Sequence, residues 1–151
     1  MQKQFDFIES VNETMDRAHK SIKKIRNIRD QLGAFQTQYK GDDSVKELLE
    51  KAKSLKDQFT KIEEALYQTK NRSGQDPLNF PIRLTNKLGH LNSLVRLGDF
   101  PPTAQDIQVK NELTQKINVE LAAFDKLVSE EIKAFNSAFN SKNLNYLFVE
   151  D

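Results

Sequence analysis

Apolar residues recur along most of this chain at steps of three and four, the spacing that gathers them on one face of an α-helix. Phe5, Ile8, Val11, Met15, Ala18, Ile22, Ile25, Leu32 and Phe35 trace one such face, with Asp16, Lys20, Lys23 and Arg26 among the charged residues filling the rest of the turn. From Val45 through Leu48, Ala52, Leu55, Phe59, Ile62 and Leu66 the steps alternate as a heptad seam, which predicts a second long helix. Ser44 followed by Glu47 has the form of a capping box at its start. Leu84, Leu88, Leu91 and Val95 predict a shorter third helix that ends at Gly98, a residue suited to the left-handed conformation that closes helices. Thr103, with Asp106 three residues on, opens a fourth, whose stripe runs through Leu113, Ile117, Leu121, Phe124, Val128, Ile132, Phe135 and Phe139.

The residues that break helices fall between these segments. All four prolines and three of the five glycines lie at Gly41, within 74–81 and within 98–102. Only the tail, Leu144, Tyr146 and Phe148, alternates as a strand would, and it is too short to build a sheet. Amphipathic helices joined by short connections bury their stripes most simply as antiparallel neighbours. The fold expected for 1–151 is therefore all-α: a single up-down-up-down four-helix bundle, with long first, second and fourth helices and a shorter third. Strict alternation would gather Phe5, Phe7, Phe80, Tyr146 and Phe148 at one pole, a candidate docking surface for another domain.

Composition narrows the function more than it identifies it. With 23 basic and 22 acidic side chains the formal net charge is +1, so no global field draws a polyanion, and nucleic acid is not an expected partner. The longest apolar runs fall far short of the ~20 residues needed to cross a bilayer, so no membrane span is expected. The opening residues lack the basic and apolar regions of a signal peptide. Absence of cysteine removes thiolate chemistry, zinc-finger spacing and any disulfide framework.

No constellation of reactive residues stands out, and the chain is read as non-enzymatic, with no cofactor and no metal. Its two histidines do not provide the paired Glu-x-x-His motifs of a di-iron bundle; Asp16 with His19 is the nearest fragment. Glu63 with Glu64, and Glu130 with Glu131, are adjacent on helices and point about 100° apart, poor geometry for an acid and base sharing a substrate, so they read as solvated faces. Arg17, Lys20, Lys23, Lys24, Arg26 and Arg29 form a basic cluster without interleaved aromatic platforms. A polar stripe remains on the third helix, where Asn79, Arg83, Asn86, His90 and Ser93 recur at steps of three or four. Such a set suits a glycan or small anionic ligand, or hydrogen bonds between helices or domains. The narrow seam of the second helix also allows self-association.

The run QTKNRSGQDPLNFPIRLTNKLGHLNSLVRLGDFPPTAQD, from Gln68 to Asp106, together with the closing NYLFVE, resembles the helical C-terminal region of bacterial proteins built on sortilin-type, BNR-repeat β-propellers, many of them described as glycosyl-hydrolase-like or sialidase-like. The resemblance implies a terminal domain excised from a larger, exported protein, with the upstream β-propeller as its partner. It implies no site, because the Asp-box repeats of the propeller are absent from these residues. An interaction or scaffolding module is the function expected on this basis, and a glycan-binding or small-ligand-binding accessory domain using the third-helix stripe is the alternative.

Overall fold

The computed structural model describes residues 2–67, 84–98 and 101–141. It is all-helical there, a bundle of long first, second and fourth helices and a short third, as the periodicity indicates. Helix α1 spans Gln2–Gln38, α2 Lys46–Leu66, α3 Leu84–Leu97 and α4 Ala104–Lys126. A π-helical turn, Leu127–Ile132, follows α4 and leads into α5, Lys133–Ser141. The chain divides into two compact units, Met1–Lys20 with Glu64–Leu121, and Ser21–Glu63 with Ala122–Asp151.

In the first unit the buried face of α1 runs through Phe7, Val11, Thr14 and Ala18. It does not pass through Phe5, which is 60% exposed. Steps of four, three and four put Phe7 on the seam, whereas Phe5 lies well round the helix from it. Thr14 is tolerated inside because its hydroxyl donates to the Ser10 carbonyl at 3.2 Å. Leu66, Leu88, Val95, Leu113, Ile117 and Leu121 complete the apolar interior.

Helix α3 runs antiparallel to α1. Gln4 Nε2 donates to the carbonyls of Val95 (2.8 Å) and Gly98 (3.1 Å). Further along α1, Asn12 faces Asn92, and Met15 lies beside Gly89. Thr85 Oγ1 donates to the carbonyl of Leu66 at 2.6 Å, which joins the first turn of α3 to the last turn of α2. Within this unit α3 therefore starts beside the last turn of α2 and runs against α1. The start of α1 accordingly sits beside the end of α3. Helix α4 begins as expected: Thr103 and Asp106 form a reciprocal capping box, each backbone N–H donating to the other's side-chain oxygen at 3.0 Å.

The second unit packs α1 antiparallel to α2. Arg26 and Arg29 meet Glu63, and Gln36 accepts from Lys56 Nζ at 3.0 Å. Ile25, Ile28, Leu32, Leu55 and Phe59 are almost fully buried. Phe59 meets Phe124 edge-on, ring centroids 5.9 Å apart, and Phe35, Tyr39, Phe135 and Phe139 form an aromatic cluster with centroids 4.8 to 6.3 Å apart. Gly41, at φ 81°, takes the left-handed conformation after α1. The turn into α2 is capped by Asp42, whose Oδ1 accepts from the Ser44 N–H at 2.9 Å and the Ser44 hydroxyl at 2.6 Å. In the π-helical turn Val128, expected in the core, is only half-buried. The extra residue per turn rotates the stripe before Ile132 restores it.

Candidate functional site

The polar stripe of α3 is carried by Asn86, His90 and Ser93, which are all exposed on one side of the helix. Ser93 directs its hydroxyl back to the Gly89 carbonyl at 3.1 Å, so part of its hydrogen-bonding capacity is used within its own helix. Asn79 and Arg83 lie outside the described residues. Of the pole residues, Phe5 is exposed and Phe7 is buried, with the Lys110 ammonium 5.6 Å from the centre of its ring. Phe80, Tyr146 and Phe148 lie outside the described residues.

The side of α3 that packs inward was less legible. Its buried residues are Thr85, Leu88, Asn92 and Val95, while Leu84 and Leu91 are only half-buried. Steps of three, four and three make 85-88-92-95 as good a seam as 84-88-91-95, and the more hydrophobic residues favoured the wrong one. The Leu66 carbonyl holds Thr85 inward. Asn92 donates to Asn12 Oδ1 at 3.3 Å, but its own Oδ1 is buried with no hydrogen-bond partner.

Rotation toward that seam leaves apolar side chains outside. Leu94 is 55% exposed and Leu97 is 84% exposed, both on α3 and three residues apart, hence on neighbouring positions of one surface. Neither was singled out from the sequence. Their spacing gave no warning, because which of two leucine-bearing faces packs inward depends on the neighbouring helices.

The basic cluster on α1 is partly spent on a structural clamp. Glu63, expected on a solvated face, has a side chain only 3% exposed. Its Oε2 accepts from Arg26 Nε at 2.7 Å and its Oε1 from Arg29 Nη1 at 2.7 Å, while Arg29 Nη1 also donates to Thr60 Oγ1 at 3.1 Å. A buried carboxylate with both oxygens engaged by guanidinium groups is an internal ion cluster, so Arg26 and Arg29 are committed to Glu63. Glu131 in the π-helical turn pairs with Lys51 of α2.

Among the described residues no three His, Asp or Glu side chains converge to hold a metal ion, and no helix is long and apolar enough to cross a membrane. A shallow, open depression on α2 is lined by Glu50, Lys53, Ser54, Asp57, Gln58 and Lys61, which are charged or polar residues of one helix surface. Burial raises the carboxyl pKa of Glu120 above its ordinary value of 4.5.

Comparison with known proteins decides no family. No family model, curated protein or solved structure matches the chain.

Proposed function

We propose that this chain is a non-catalytic helical interaction module, which docks through the outer face of α3 onto the β-propeller of an exported parent protein. The observation that carries the reading is the pair Leu94 and Leu97, large apolar side chains left in water on a helix that already packs on α1. Single exposed leucines are ordinary on protein surfaces, but two on adjacent positions of one short helix make a contact surface. Support for the propeller as partner is the resemblance of Gln68 to Asp106 to helical regions that accompany such propellers.

Calorimetric titration of the chain against the separately expressed propeller region tests this, with the double variant Leu94→Asp, Leu97→Asp as control. Binding by the natural chain that the variant loses is the expected outcome. Equal binding by both would remove the docking surface from α3. A second reading, a glycan or small-ligand site, draws on the exposure of Asn86 and His90 on the same helix. Its signature is binding of an oligosaccharide that His90→Ala abolishes and the leucine variant retains.

A further inference from the structure

Helix α3 is built differently from its neighbours. The buried residues of α2 are Leu48, Ala52, Leu55, Phe59, Ile62, Glu63 and Leu66, all apolar but one, and the exception is doubly ion-paired. Those of α3 are Thr85, Leu88, Asn92 and Val95, half of them polar. The polar members hold the helix unequally. Thr85 is well satisfied at 2.6 Å. Asn92 makes one bond at 3.3 Å, beyond the usual range for N–H···O, and leaves its carbonyl oxygen buried and unpaired, a standing penalty relieved when the helix moves into water.

Two further features weaken the seat of α3. Gly89 lies in the middle of the helix, where glycine lowers helix stability. No close packing demands it, since a Cβ there would meet the Met15 Cε at 3.5 Å, an ordinary contact. Moreover, the bonds from α1 to the end of α3 come from the amide of one partly exposed side chain, Gln4, to the carbonyls of Val95 and Gly98. Water can replace each of these.

We infer that α3 is a releasable helix: it leaves the first unit as one piece, with the rest of the molecule still folded, far more often than the whole chain unfolds. Local stability follows the apolar area an element buries and the satisfaction of its polar groups, and α3 combines only two buried apolar residues, Leu88 and Val95, with the unpaired oxygen of Asn92. Release uncovers the surface of α1 around Gln4, Asn12 and Met15, against which α3 lies. This inference concerns the inner face of α3 and does not depend on what its outer face binds.

Native-state amide hydrogen exchange of the intact chain tests it. The amides of α3 should exchange together and about a hundred-fold or more faster than the core amides around Leu55 and Phe59 of α2. Equal protection in the two helices would overturn the inference. Two mild variants, both expected to fold, separate partial from global opening. Ile62→Val weakens the second unit, so it should speed exchange in α2 by about two- to ten-fold and leave α3 unchanged. Parallel acceleration of both helices would show that α3 opens only with the whole molecule and would overturn the proposal. Gly89→Ala should slow exchange in α3 by about five-fold, and no slowing would equally count against it.

Discussion

Replacing Glu63 by alanine removes a carboxylate that two arginines share inside the second unit. The side chain is 3% exposed, and both of its oxygens accept charged hydrogen bonds at 2.7 Å. Removing one member of a fully buried ion cluster costs about 3–5 kcal/mol, because the partners are left charged and unpaired. Here the partners are not fully buried: Arg26 is 49% and Arg29 27% exposed. Water can therefore reach both guanidinium groups after the substitution, and the cost falls to roughly 2–3 kcal/mol, with most of it from Arg29 and its bond to Thr60. For a chain of this size that corresponds to a fall in Tm of about 4–12 °C. Urea unfolding of the natural chain, Glu63→Ala, Arg29→Ala and the double variant closes a thermodynamic cycle. The cycle should return a coupling of about 1–2 kcal/mol for Glu63 with Arg29. A loss below about 0.5 kcal/mol on Glu63→Ala, the range of ordinary surface changes, would refute the claim that this cluster holds α1 against α2.

Two other perturbations probe the first unit. Thr85→Val keeps the shape of the side chain but strands the Leu66 carbonyl, and urea unfolding should show a loss of about 1–3 kcal/mol; no loss would mean that water or another donor takes over the bond. Glu120→Gln reads out a desolvated carboxyl. Its folded-state pKa lies above 4.5, so the folded state binds the proton more tightly than the unfolded one. The stabilisation this provides is complete below 4.5 and is lost as pH rises through the folded value, leaving an ionised, partly desolvated carboxylate at neutral pH. Glutamine should therefore stabilise the chain at pH 7 and give little or no gain at pH 3, as chemical denaturation at the two pH values would show; an equal gain at both would point to packing rather than charge.

What the sequence showed best were features set by local chemistry or long repetition. The heptad seam of α2 is buried as read, from Val45 to Leu66, and the Thr103 and Asp106 capping box forms as its spacing dictates. Long helices average out ambiguity: over the 37 residues of α1 the apolar face is recognisable even though its first member is Phe7 rather than Phe5. Short helices do not. In the 14 residues of α3 two seams one residue apart fit the period equally well, and the choice between them was made by the Leu66 carbonyl, the amide of Asn12 and the side chain of Met15. The same dependence on partners hid the role of Glu63. Beside Glu64 it looks like one of two solvated acids, and only the approach of Arg26 and Arg29 from a helix more than thirty residues away gives it a buried place.

Helix α3 thus inverts the usual distribution, with Thr85 and Asn92 inside and Leu94 and Leu97 outside. That inversion makes the docking proposal separable from stability. Because Leu94 and Leu97 already stand in water, exchanging them for aspartate removes little buried area and should change unfolding free energy by no more than about 0.5 kcal/mol per site. The same exchange at Leu88 and Val95 would empty the seat of the helix and cost several kilocalories per mole. If Leu94→Asp, Leu97→Asp is as stable as the natural chain and fails to bind the propeller region, the leucines serve an external partner. If the double variant is strongly destabilised instead, those side chains are covered within the chain itself, and the outer face of α3 is not a docking surface.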